Sequence, residues 1–152
     1  MCPFRIGGHP AYGGGVDGMD GIGGTGVGAR AELTRVVTDG DTASALGSGD
    51  LAVLGTPCLL AWCEAATCLV VAPSLPAGAT TVGTSVRLDH LAPSGVGEQV
   101  TVRAEVTAVD GRRVVLGVEA TDAGGAVVGR GTVERVVVDA ERFLARLTGP
   151  SD

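Results

Sequence analysis

From Leu51 to Ser85 the chain carries a single charged residue, Glu64. So long an apolar stretch must be packed inside something, and it fixes what the rest of the sequence has to provide. Thr56-Pro57 predicts a helix start, with a hydroxyl N-cap followed by proline at the first helical position. The helix is expected to run from Pro57 to about Ala72 and to stop at Pro73. Leu59, Leu60, Trp62, Cys63, Ala66, Leu69 and Val70 spread around its circumference, which predicts burial on every face. A membrane span is disfavoured. Glu64 would sit mid-bilayer at a cost of about 2.5–3.5 kcal/mol, and no arginine anchors flank the segment.

After the helix comes a soluble β pattern. Thr80–Leu91 alternates, with Val82, Thr84, Val86, Leu88 and His90 assigned to one face. Gln99–Val109 groups Val100, Val102, Ala104 and Val106. Asp110-Gly111 is a tight hairpin signal. Arg113–Thr121 groups Val114, Leu116, Val118 and Ala120, and Ala126–Val138 is the last strand. Asp139 is expected to cap a closing helix that turns Phe143, Leu144 and Leu147 inward. Ahead of the long helix, Ala31–Thr38 reads as a first strand and Thr42–Leu46 as a short helical turn.

This order predicts an α+β hotdog fold, a long buried helix wrapped by a curved antiparallel sheet. One sheet covers every face of such a helix only if it curls or a second subunit helps. A homodimer joined through edge strands is therefore expected. Residues 1–29 read as a glycine-rich flexible tail, residues 30–148 as the domain and 149–152 as a C-terminal tail. Eleven of the 26 glycines fall between Gly7 and Gly28. No strand precedes them and no Gly-Lys-Ser/Thr follows, so a phosphate loop is not indicated.

With 152 residues the chain suits one domain. Its 17 acidic and 11 basic residues give a net charge of −6, and every basic residue is arginine. An acidic chain without a basic run excludes nucleic acid and anionic membrane as expected partners. Cys58, Cys63 and Cys68 lie five apart in the helix, each turned about 140° from the last, which is wrong for a disulfide. No metal-site spacing is present. With no secretory segment after Met1, a cytoplasmic location is expected.

Two residues stand out. Glu64 is the lone charge of the helix, and His90 is the lone histidine of the folded region, on the inward parity of its strand. A carboxylate in a dry helix needs a cation or donors, and the inward imidazole is the natural partner. Such a pair is a general-base device; each member also has a structural reading, as a buried acceptor and as a core histidine. Thr56 is the third candidate, either an N-cap or a hydroxyl that positions or attacks substrate. Eight helical residues, roughly 12 Å, keep it from touching Glu64 directly. Free N–H groups around Cys58 and Leu59 are expected to face a developing oxyanion.

Several separated segments resemble the fluoroacetyl-CoA thioesterase-like family of hotdog proteins. They are Gly47-Ser48-Gly49, Val53-Leu54-Gly55-Thr56-Pro57, Glu64-Ala65-Ala66, Val82-Gly83-Thr84, His90-Leu91-Ala92-Pro93, Val109-Asp110-Gly111-Arg112 and Gly129-Arg130-Gly131-Thr132-Val133-Glu134-Arg135. The resemblance implies an acyl-CoA thioesterase with Thr56, Glu64 and His90 as catalytic residues. It places Gly83 beside the thioester, where a missing side chain permits close approach. It gives Arg135 a substrate-side contact or an ion pair with Glu134 or another acid. Three positions depart from the family pattern. Gly55 replaces the usual alanine, Val133 replaces a common histidine, and Gly47–Gly55 lacks the phenylalanines that form a lid in the fluoroacetyl-specific enzyme.

The reading is therefore a thioesterase that splits a small or medium acyl-CoA into carboxylate and thiol. Coenzyme A enters as part of the substrate and no separate cofactor is expected. Arg87, Arg112 and Arg113 are solvated surface residues or contacts to the nucleotide phosphates. The alternatives are an acyl-CoA hydratase or dehydratase, and a non-catalytic hotdog dimer that binds a ligand or scaffolds a partner.

Overall fold

A computed structural model describes residues 26–149. Residues 1–25 of the glycine-rich segment and the last three residues lie outside that range. The elements are β1 (Arg30–Val36), α1 (Ala43–Leu46), α2 (Thr56–Val71), β2 (Ala79–His90), β3 (Gln99–Asp110), β4 (Arg113–Asp122), β5 (Val127–Asp139) and α3 (Ala140–Ala145). All strands pair antiparallel in one sheet, in the order β1-β3-β4-β5-β2. This is the hotdog arrangement that the element order predicts.

The core forms where α2 lies on the sheet. Val100, Val102, Ala104 and Val106 of β3 and Val114, Leu116, Val118 and Ala120 of β4 are buried on one face. Their alternation with polar residues is the period-2 signature of a sheet with one covered side. Against them α2 buries nine residues, including Leu59, Trp62, Cys63, Ala66 and Val70. Half of the apolar stretch Thr56–Ser74 is buried inside the domain, so its hydropathy belongs to a core helix. Burial is not all-round, however. Thr56, Pro57, Ala61 and Leu69 are exposed, and Leu60, Glu64 and Cys68 are half-buried. Positions 57, 60, 61, 64 and 68 make one stripe that the curl of a single sheet leaves uncovered.

Strand β2 departs from simple alternation. Gly83 stands opposite Arg135 and Ser85 opposite Glu134, so Thr84 is an extra residue. This one-residue bulge reverses the parity of the strand. Beyond it Val86 and Leu88 pack against the core. Before it the helix-facing positions are Thr81 and Gly83, which meet the side chain of Arg135. Val82 therefore does not share a face with Val86 and Leu88, and Thr84 is exposed.

The ends also differ from expectation. Asp139 caps α3, its Oδ1 accepting from Arg142 N–H at 2.8 Å. Yet Leu144 is 59% exposed and Leu147 80%. The helix ends at Ala145, before Leu147, and of the three residues expected to turn inward only Phe143 is half-buried.

Two glycines of β5 stand where a side chain has no room, against β2 and α2. A Cβ added at Gly131 would fall on the carbonyl oxygen of Arg87, and one at Gly129 would lie 2.9 Å from Leu59 Cδ2. At Gly117 the nearest atom is Thr107 Cγ2 at 3.6 Å, an ordinary contact. Gly131→Ala is therefore expected to lower Tm by at least about 5 °C, and Gly117→Ala to change it by less than about 2 °C. Thermal unfolding followed by circular dichroism decides this, and equal shifts in the two variants would refute it.

Candidate active site

The start of α2 is held by its neighbours in space. Gly55 N–H donates to the Asp41 carbonyl at 2.9 Å, and Leu54 N–H to the Ser94 carbonyl at 2.8 Å. Gly55 is the N-cap, in extended conformation, so the helix begins one residue earlier than expected. A Cβ at Gly55 would meet Leu46 Cδ1 at 3.1 Å and Ala43 backbone at 3.2 Å, which accounts for glycine there. Because Thr56 is the first helical residue and not the cap, its hydroxyl is available. Thr56 Oγ1 lies 2.9 Å from His90 Nδ1.

The N–H groups of Cys58 and Leu59 are not available to a substrate. Both donate to the Gly55 carbonyl, at 3.0 and 3.1 Å. The shift of the cap by one residue supplies them with an acceptor, and the expected anion-binding role for these two positions is withdrawn.

Thr56 and His90 open onto a cleft of about 400 Å³. Leu51, Val53, Leu54, Ala92 and Pro93 supply its apolar lining, with Ser48 and Asp50 at its polar side. The His90 Nε2 atom is shut off from solvent and makes no hydrogen bond of good geometry among the described residues. Burial lowers the imidazole pKa below the usual 6.5, partly offset by a contact with the Ala92 backbone. The ring is therefore neutral at pH 7 and able to accept a proton.

A second cluster sits farther along the same helix and strand. Glu64 Oε2 pairs with Arg135 Nη1 at 3.3 Å. Arg135 is 5% exposed. It also donates to Thr81, from Nε to Oγ1 at 2.8 Å and from Nη2 to the carbonyl at 3.2 Å. Gly83 faces this pair, and a Cβ there would stand 2.8 Å from Glu64 Oε2. Glu134 is not the acid that holds Arg135; it forms a two-point ion pair with Arg113.

The expected Glu64–His90 contact is thus absent within one chain. The carboxylate is taken by Arg135 and the imidazole by Thr56. Gly83 and His90 are seven residues apart on β2, roughly 20 Å along the strand. Strand parity alone suggests nearness to the helix, but not to the same turn of it. Thr81 has no distinguishing signal in the sequence, since its role depends on the bulge that turns it inward. Asp41 shows there only as part of a turn. It is buried, and its Oδ2 accepts from Thr38 N–H and Oγ1 at 2.8 and 2.7 Å, fixing the carbonyl that positions Gly55.

Comparison with known proteins shows what the whole chain is similar to. Residues 37–141 match the family model described as fluoroacetyl-CoA-specific thioesterase. Over 95 residues the chain is 37% identical to the fluoroacetyl-CoA thioesterase of Streptantibioticus cattleyicolor, spanning 62% of this chain and 68% of that one. A solved structure of a fluoroacetyl-CoA thioesterase superposes with a TM-score of 0.76 at 33% identity, covering 85% of this chain and 99% of that one. A thioesterase superfamily member from Thermus thermophilus superposes with a TM-score of 0.76 at 28% identity, covering 82% and 91%.

The burial of His90 has a measurable sign. The unfolded imidazole takes up a proton near pH 6.5 and the folded one only at lower pH. Its contribution to stability is complete above pH 6.5 and is lost as pH falls from there through the folded pKa. NMR titration of the His90 ring is expected to give a midpoint below 6.5. A midpoint at or above that value would contradict the buried geometry.

Proposed function

The chain belongs to the fluoroacetyl-CoA-specific thioesterase family, and from that premise we propose that it hydrolyses a small or medium aliphatic acyl-CoA to carboxylate and free coenzyme A. The observation that carries this reading is the 2.9 Å approach of the Thr56 hydroxyl to the half-buried His90 ring at the mouth of an apolar cleft. Among the described residues the cleft lining contains no phenylalanine, tyrosine or tryptophan, which favours a plain aliphatic acyl group over fluoroacetyl.

In this mechanism His90 Nδ1 removes a proton from the attacking oxygen, that of Thr56 or of a water held by it. The oxygen adds to the thioester carbonyl carbon and the C–S bond breaks. The imidazolium returns its proton to the departing thiolate. If Thr56 attacks, the resulting ester is then opened by water, which His90 deprotonates in the same way.

Glu64 enters this scheme through a second copy of the chain. Strand β2 is at the edge of the sheet, with one row of backbone groups open to pairing. If two β2 strands pair antiparallel about a two-fold axis at Arg87, with the bulged Thr84 left out of the register, Val86 of one copy faces Leu88 of the other and His90 falls opposite Gly83. Both residues face the helix side, because the bulge at Thr84 restores their parity. Glu64 and Arg135 of one subunit then stand beside Thr56 and His90 of its partner, and the carboxylate aims the water or steadies the imidazolium. The uncovered stripe of α2 meets its counterpart across the same axis.

His90→Ala is expected to lower kcat on short acyl-CoAs by about 10²–10⁴-fold, measured by thiol release; a loss of only a few-fold would contradict its role as base. Composite sites make a separate prediction. Thr56→Ala and Glu64→Gln are each inactive, but an equimolar mixture refolded together regains roughly a quarter of wild-type activity. Half of the dimers are then mixed, and one of the two sites in each is intact. No recovery would mean that each site is built from one chain.

A further inference from the structure

Ten arginines fall among the described residues, and four of them pair with carboxylates. Of the others, Arg112, Arg142 and Arg146 converge on one pocket of about 290 Å³, completed by Val138, Asp139 and Phe143. None of the three forms an ion pair among the described residues. The one acid in the lining, Asp139, spends Oδ1 on the α3 cap. Glu141 is also on α3 and is exposed. Three guanidinium groups therefore gather at one place on a chain whose net charge is −6.

We propose that Arg112, Arg142 and Arg146 bind the phosphate groups of the nucleotide end of the acyl-CoA, with Phe143 offered to the adenine. An acidic protein repels a substrate that carries several phosphate charges unless it presents a local positive field. Arginine suits this task because its planar fork matches phosphate oxygens and is weakly hydrated. The position agrees. Asp139 pairs with Ala79, four residues from Gly83 on β2, roughly 13 Å away. A pantetheine arm reaching toward Gly83 and Glu64 places its phosphates at this end of the sheet. The assignment rests on the thioesterase reading for the identity of the ligand, but the pocket itself does not.

Isothermal titration with adenosine 3′,5′-bisphosphate tests the pocket without any chemistry. Wild-type protein is expected to bind it with an affinity that falls as salt rises. The variant Arg112→Ala/Arg142→Ala/Arg146→Ala is expected to lose binding. In kinetics the same variant raises KM for acetyl-CoA by about tenfold, the size expected for three partly exposed charge contacts. The penalty is absent for S-acetyl-N-acetylcysteamine, which has the thioester but no phosphate. Lysine at the three positions recovers part of the loss. The proposal is overturned if wild type does not bind the bisphosphate, if the variant binds it equally, or if KM rises alike for both thioesters. It is overturned as well if the penalty appears only with an acyl-carrier-protein thioester, which would make the pocket a docking point for an acidic protein. If wild type hydrolyses neither small thioester, the hydrolase reading fails and the titration alone decides the pocket.

Discussion

The contact between α2 and the sheet determines everything else in this molecule. The sheet offers it short side chains, mostly valine and alanine, and the helix answers with leucine, cysteine, alanine and one tryptophan. With only 4 aromatic residues in the chain, tight filling comes from close approach and not from large rings. Gly129 is part of the same economy, since any side chain there would collide with Leu59. A helix seated this deeply cannot shift or rotate without opening the core. Thr56 and Glu64 are therefore fixed in place, two turns apart on a rigid rod.

Against that rod, β2 acts as a ruler with one displaced mark. The extra residue at Thr84 lets an odd-numbered Gly83 and an even-numbered His90 face the same side. Each meets a different helical partner, Gly83 the Glu64–Arg135 pair and His90 the Thr56 hydroxyl. The buried guanidinium of Arg135 is satisfied by Glu64 and Thr81 together. A buried cation without such partners would be costly. The pair thus explains both why a carboxylate can sit in an apolar helix and why glycine occupies position 83.

Much of this is legible in the residues. β3 and β4 can be read face by face, because Val100 to Val106 and Val114 to Ala120 alternate cleanly and one side is fully covered. The long helix is legible from its lack of charge and its proline punctuation. Three features are not. The bulge leaves only a run of small residues, Gly83-Thr84-Ser85, and alternation carried through it puts Val82 and Thr84 on the wrong face. Thr56 resembles a cap because Thr-Pro is a common helix start, but the capping position is set by a bond from Gly55 to Asp41 across the fold. Pairing Glu64 with His90 supposes that two residues facing the same interior must meet, whereas distance along the strand separates them. A signal for the true partner is present. Arg135 shares strand parity with Val133 and Val137, and an arginine at an inward position calls for a buried acid.

The cysteines of α2 carry a consequence for handling the protein. Burial, with some help from neighbouring Glu64, pushes the Cys63 thiol up to about 12, and burial raises Cys68 as well. Exchange with a free thiol or a disulfide requires the thiolate, which for Cys63 amounts to about one molecule in ten thousand at pH 8. Coenzyme A disulfide, oxidised glutathione and maleimide labels should therefore leave Cys63 untouched while the domain stays folded, so its modification would serve as a chemical clock for unfolding.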